Sequence, residues 1–480
     1  VLWWTSAPRP DLGGREEDTH AGTDELESLE ITNPGAYGNV CLEVQVSDLA
    51  LNCVLQNASV HAMEGIGAAS MALDSASHSL DEYARGRVPM SADLGDAVLT
   101  SQTFTTVRSM VKAWHIEKTR GSSVCASVLA DNFWRWASSA RAAMYEPALQ
   151  RFVHRLMRKT MLQLLAELRR LGVQIVYANY SRMLLLTNRP TAGSAVAYGR
   201  YLMSAVTTPD VFRHISLHIV HIWEYLVFLD MANMGGIIAH EPEKDLPDDV
   251  DIEMAWNIQA FLPQALQDRF AKAVGVFIYE LYQAKRAACA AQADRPVMRA
   301  LSQNTQLASN AVPEEKDLSS AADAKYIVAH AMTPRLLRMV SEIQEERKGP
   351  INKDEWAFPQ LPGSHLVMTN PTLEFIKATT RVLALLKDAA LEAQICKRNL
   401  LDLIGVREFS PVAEWQNPCL SFRLPWVICH FCNDDRTLDL CRDADLIASS
   451  DQHDWRCARC DTLYDRTDIE LRLIALVQQQ

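Results

Sequence analysis

The residues most able to do chemistry in this sequence crowd its C-terminal end. Cys429-His-Phe-Cys432 and Cys457-Ala-Arg-Cys460 form two Cys-x-x-Cys pairs, about two dozen residues apart. A tight turn lets each pair aim two thiolates at one point, and zinc takes four such donors in a tetrahedron. The separation is slightly longer than in most zinc ribbons but leaves room for an excursion that folds the pairs together. Cys429, Cys432, Cys457 and Cys460 therefore read as the ligands of one structural Zn²⁺. Disulfides are the chief competing use of these thiols. Cys441 is the first substitute ligand to consider, with His430 and His453 behind it. Four protein ligands would close the shell and leave no position for catalysis. A segment this short needs its metal to fold, since structural zinc contributes on the order of 10 kcal/mol or more.

Other reactive side chains have simpler uses. Cys41, Cys53, Cys125, Cys289 and Cys396 are scattered and read as small buried apolar groups. His214, His218 and His221 read as packed or solvent-edge residues rather than a metal face. Arg151, His154, Arg155, Arg158, Lys159, Arg169 and Arg170 form a local basic run. It reads as a solvated helix face or as a contact for nucleic acid or an acidic partner.

The whole chain bounds these choices. Its 480 residues support several domains, and 48% hydrophobic with 22% charged residues is ordinary for a globular protein. No apolar run approaches the roughly 20 residues that span a bilayer, so no membrane association is expected. The first residues lack the pattern of a secretory signal. The chain starts at Val1 rather than Met, which reads as a piece of a longer protein. An intracellular, reduced setting favours metal over disulfides. A net charge of −12 argues against general duplex binding, which depends on Lys and Arg displacing counterions.

Several elements must position these groups. Val40–Gln56 reads as a strand running into a short helix. Residues 102–170 read as helical, with Phe104, Val107, Met110, Val111 and Trp114, then Phe152, Leu156, Leu162, Leu165 and Leu168, as core stripes. That helix should end at Leu171-Gly172. Val173–Tyr177 and Met183–Thr187 read as a β-hairpin closed by Ala178–Arg182. A helix fits Gly193–Ala205. Glu241–Glu253 reads as an acidic surface loop, Trp256–Arg286 as a helical pair, and Ala287–Ala322 as a linker. Helices resume at about 323–346 and over Pro371–Ile404, with a turn at Leu361–Ser364 between them.

Leu424-Pro-Trp-Val-Ile-Cys429, Asp439-Leu-Cys441 and Trp455-Arg-Cys-Ala-Arg-Cys460 with Tyr464-Asp465 resemble the first of two cysteine modules in the catalytic subunit of DNA polymerase epsilon. Further matches follow the same order: Leu12-Gly13-Gly14, Ile31-Thr-Asn-Pro-Gly35, Trp223-Glu-Tyr-Leu with Asp230 and Gly235-Gly236, then Leu361-Pro-Gly-Ser-His365 with Asn370-Pro371 and Leu373-Glu-Phe-Ile376. The chain thus resembles the C-terminal, non-catalytic half of that B-family polymerase. The resemblance implies a degenerate polymerase that has lost its carboxylates. Active relatives carry two Asp in a palm hairpin turn, written Tyr-Gly-Asp-Thr-Asp-Ser. Here the turn is Tyr177-Ala-Asn-Tyr-Ser-Arg182, with Asn179 and Ser181 at the two Asp positions. Gln45 stands where a third Asp is expected, and Asp48 lies three residues on. Neutral Asn, Ser and Gln cannot offset two divalent cations, and Arg182 would repel them. No catalytic or cofactor-binding residue is expected in this chain, although the whole protein it resembles is a DNA-directed DNA polymerase.

The resulting expectation is an α/β, helix-rich fold: a degenerate palm, fingers and thumb with a C-terminal zinc-ribbon-like module. Residues 1–35 would be a lead-in, 36–65 and 166–240 the palm with hairpin 173–187, and 66–165 the fingers. Residues 241–425 would form a thumb with its linker at about 287–322, and 426–480 the zinc module. The resemblance implies a scaffold in the nucleus that joins leading-strand synthesis to the replicative helicase complex and the B subunit of the polymerase, with any DNA contact made through the whole protein. A zinc-ribbon nucleic-acid-binding protein and residual polymerase activity are the alternatives.

Overall fold

The structure is a computed structural model. It describes residues 29–57, 101–121, 123–138, 144–239, 250–293, 321–348, 354–361, 363–431, 435–442, 455–457 and 460–479. It has the mixed α/β, helix-rich character expected. An eight-stranded antiparallel sheet forms its centre, in the order β1 (Ile31–Thr32), β4 (Gln174–Ala178), β5 (Arg182–Leu186), β3 (Cys41–Ser47), β6 (Ser216–Asp230), β7 (Asn233–Ile238), β8 (Ile252–Trp256). Strand β2 (Gly35–Tyr37) also pairs with β6. The sheet joins three strands from residues 31–47 to a hairpin more than 100 residues later.

β3 alternates as a strand with two different faces must. Leu42, Val44 and Val46 point into the larger core. Cys41, on the opposite face, joins a smaller cluster with Leu184, Leu186 and Trp223. The larger core is closed by α1 (Leu49–Leu55), α2 (Ser101–Arg120), α3 (Val124–Asp131), α4 (Phe133–Ser138), α5 (Pro147–Arg170) and α6 (Ala192–Thr207). The second half of the chain builds its own core. There α7 (Gln264–Ala293), α8 (Ala321–Tyr326) with the π-turn Ile327–Met332, α9 (Thr333–Glu346), α10 (Pro371–Leu383) and α11 (Ala390–Leu403) pack with Tyr225, Val227, Leu229 and Ile237 of the sheet. Among the described residues no helix is long and apolar enough to cross a membrane.

Several local readings need correction. Val211–Leu229, to which the sequence assigns no element, lies mostly in β6, whose 15 residues carry bulges that shift its register. The end of the expected acidic loop is strand: Ile252 and Glu253 open β8, while residues 240–249 lie outside the described residues. Trp256–Arg286 is one turn and then a single 30-residue helix that continues to Ala293, inside the expected linker; residues 294–320 lie outside the described residues. Leu162 is 45% exposed, because helical spacing carries it off the stripe of Phe152, Leu156, Leu165 and Leu168. Cys125 is exposed, whereas Cys41, Cys53 and Cys396 are buried as expected.

His154 leaves the basic run altogether. It is buried on the inner face of α5, edge-on to the Tyr180 ring at 5.4 Å. Burial, reinforced by the Arg158 charge, pushes its pKa down to about 4. A histidine held neutral in the fold but free to protonate when unfolded stabilises fully above its unfolded pKa of about 6.5. That contribution drains as pH falls toward 4. Denaturation at pH 7 and pH 5 should show a loss of about 2 kcal/mol that His154→Gln removes; equal losses in both proteins would refute it.

Candidate functional site

The cysteine module is built on the hairpin β9 (Arg423–Ile428) and β10 (Asp435–Asp439), followed by α12 (Arg466–Gln479). Cys429 follows β9 directly. The second pair sits in a tight turn: the Cys457 amide donates to the Thr462 carbonyl at 2.9 Å, and the Asp461 amide to the Cys457 carbonyl at 2.8 Å. Asp461 takes φ 57°, a left-handed conformation that Asp tolerates better than most residues. Leu424, Val427, Leu438, Tyr464 and Ile469 bury the two halves together around Cys429 and Cys457.

This folding brings the sulfurs of Cys429, Cys457 and Cys460 within 4.8 Å of one another. Cys429 Sγ and Cys460 Sγ are 3.5 Å apart, far beyond the roughly 2.05 Å of a disulfide. Sulfurs about 2.3 Å from one zinc at tetrahedral angles lie about 3.8 Å apart. The donor set therefore fits a thiophilic metal. Among the described residues it is the one such cluster of His, Cys, Asp or Glu. Cys432 and His453 lie outside the described residues, and His430 is exposed. Cys441 is not in the cluster. It packs instead with Cys419 against Phe261, and the Cys419 thiol donates to the Cys441 carbonyl at 3.1 Å.

That second thiol pair marks where the module docks. Arg442 donates to the Cys419 carbonyl at 2.9 Å, and its guanidinium lies 3.9 Å from Asp230 at the β6–β7 turn. Asn257 donates to the Arg442 carbonyl at 3.2 Å. Gly363, at φ +82°, passes so close that a Cβ would meet the Leu420 carbonyl at 2.7 Å.

In the β4–β5 hairpin, Asn179 closes the turn. Its Oδ1 accepts from the Ser181 amide at 3.0 Å and the Arg182 amide at 2.6 Å, and its Nδ2 donates to the Tyr177 hydroxyl at 3.0 Å. The Val46 amide donates to the Ser181 carbonyl at 2.8 Å, tying β3 to the turn. Gln45 lies in register between Arg182 and His218. Arg182 reaches the carboxylate of Glu43 at 3.3 Å, and Glu43 is 3% exposed. His221 Nδ1 and Trp223 Nε1 stand 3.1 and 3.4 Å from the same carboxylate. Asp48 is 3.5 Å from Lys118. His214 packs against His115, while His218 and His221 sit exposed on β6, so the three do not converge.

A family described as "Zinc finger domain of DNA polymerase-epsilon" matches residues 412–480, and one described as "Domain of unknown function (DUF1744)" matches residues 1–237. The DNA polymerase epsilon catalytic subunit from Schizosaccharomyces pombe is 28% identical over 99% of the chain. Its counterpart from Aspergillus fumigatus is 32% identical over 100%, and that from Arabidopsis thaliana 27% over 100%. Over nearly its whole length the chain matches the DNA polymerase epsilon catalytic subunit. It spans about a fifth of the length of these relatives, 21% in each case. A solved family B DNA polymerase from Pyrobaculum calidifontis overlaps 56% of the chain and 34% of its own length, at 13% identity and a TM-score of 0.30.

Sequence reasoning missed Glu43. The signal was present: a lone carboxylate in the apolar run Cys41-Leu-Glu-Val44 must find a partner. Arg182→Met strands that carboxylate. With Arg182 itself 45% exposed, the expected loss is about 1–2 kcal/mol. Adding Glu43→Gln should restore most of it. A urea series in which the double variant is no more stable than Arg182→Met would count against the pair.

Proposed function

We propose that this chain is a non-catalytic scaffold of a replicative DNA polymerase, with one structural zinc ion in its cysteine module. The palm hairpin carries the reading. Two metal ions would need anionic oxygens there. The turn offers neutral Asn179, already engaged in closing the backbone, and Ser181. Arg182 and Lys118 stand beside the two carboxylates on and next to β3, Glu43 and Asp48. The relatives' role as catalytic subunits of DNA polymerase epsilon supports a place in replication, and hence in the nucleus. The replicative helicase complex and the polymerase's B subunit are the partners this reading assigns.

Zinc is the metal because the donors are thiols, which suit it and exclude hard cations such as Mg²⁺. Cys432 would complete the four, closing the shell. Each thiol gives up a proton on binding, so acid and chelators should both release the ion. The small buried core of the module should then loosen.

Elemental analysis of the purified chain should give one zinc per molecule, lost in Cys457→Ser, Cys460→Ser. A pull-down from nuclear extract should recover helicase and polymerase subunits with the intact chain, and fewer with that variant. Zinc-free protein that melts unchanged would defeat the metal reading. Recovery of no replication partner by either form would defeat the scaffold.

A further inference from the structure

We propose that the corner where α5 ends, β5 exits and α6 begins is a stacking site for single-stranded nucleic acid. Gly172, at φ +90°, turns the chain out of α5. The Tyr198 hydroxyl donates to the Leu171 carbonyl at 2.6 Å, and Asn188 donates to the Gly172 carbonyl at 3.4 Å. These bonds fix three chain segments at one corner. Arg189 lies 5.2 Å over the Tyr198 ring, and Tyr198 stacks on Tyr201 at 6.4 Å with 23° between the planes. The stack ends in solvent, with Tyr201 60% exposed.

Arg189 lies on the stack, Arg200 precedes Tyr201 in α6, and Arg169 and Arg170 end α5 just before Leu171. Arg169, Arg170, Arg189 and Arg200 are all exposed. Arg170 is neutralised by Glu167 at 2.6 Å, but Arg169, Arg189 and Arg200 make no ion pair with a described residue. A local concentration of unpaired guanidinium charge is conspicuous in a chain of net charge −12. Guanidinium groups take phosphates, and an exposed aromatic face at the end of a rigid stack takes a base. An acidic protein segment would use the arginines and leave Tyr201 idle, so the pairing favours a nucleic acid strand. A duplex hides its base faces, which favours a single strand. The corner lies at the opposite end of the hairpin from Asn179, about 17 Å away for five-residue strands. It is thus separate from the palm turn.

The test is fluorescence anisotropy of the full chain with a labelled oligo(dT) 12-mer, a duplex of equal length and a poly-Glu peptide. Tyr201→Ala should weaken oligo(dT) binding about tenfold, and Tyr201→Phe should restore it. Arg169→Ala with Arg189→Ala should flatten the salt dependence by about 1.4 in the log–log slope. These side chains are exposed, so melting temperatures should not move, and a variant that does melt lower is replaced by Arg200→Ala with the same slope readout. The proposal is overturned by absent oligo(dT) binding, by binding indifferent to Tyr201, or by a poly-Glu peptide or duplex that binds more tightly than the single strand.

Discussion

A charge can be buried in a protein only if another charge or several donors go with it. Glu43 sits at the centre of the sheet, on a strand bonded on both sides, and its carboxylate is almost wholly shielded from water. Arg182, His221 and Trp223 are what make that position tolerable. The hairpin that supplies Arg182 is the one whose turn carries Asn179 and Ser181. Neutral turn, cation and buried carboxylate therefore form one arrangement. A pair of divalent ions would have to compete with Arg182 for the only deeply buried carboxylate of β3.

The same constraint ties the cysteine module to the rest of the chain. Asp230 is mostly buried and its carboxyl is raised above the usual range by desolvation, against the pull of Asn233 and Arg442. Arg442 comes from just beyond β10, and it also caps the Cys419 carbonyl. The module is thus held by a polar latch at the β6–β7 turn and by the apolar pocket of Phe261, Cys419 and Cys441. Cys429, Cys457 and Cys460 converge at the far end of β9 within the module's own small core, while the latch sets where that core sits. Stability of the ribbon and its placement on the sheet depend on different residues.

Much of this was legible in the sequence, where local rules act. The strand-to-helix run through Val40–Gln56, the helix ending at Gly172 and the hairpin at 174–186 all follow from short-range periodicity and turn chemistry. The two Cys-x-x-Cys spacings include Cys429, Cys457 and Cys460, whose thiols the fold brings together, while Cys432 lies outside the described residues. β6 was not legible, because its apolar residues serve both faces and its bulges break the alternation. Glu43 and Arg182 are 139 residues apart in the chain, and their pairing depends on register alone. Cys441 is chemically equivalent to the other thiols, and only its packing against Cys419 and Phe261 sets it aside.

Primer extension by the purified chain, with a templated primer, nucleoside triphosphates and either Mg²⁺ or Mn²⁺, tests the central claim most directly. The account predicts no extension with either metal at any pH at which the chain is folded. Templated, metal-dependent synthesis that disappears on Glu43→Gln or Asp48→Asn would contradict it, because those carboxylates would then be holding metal rather than Arg182 and Lys118.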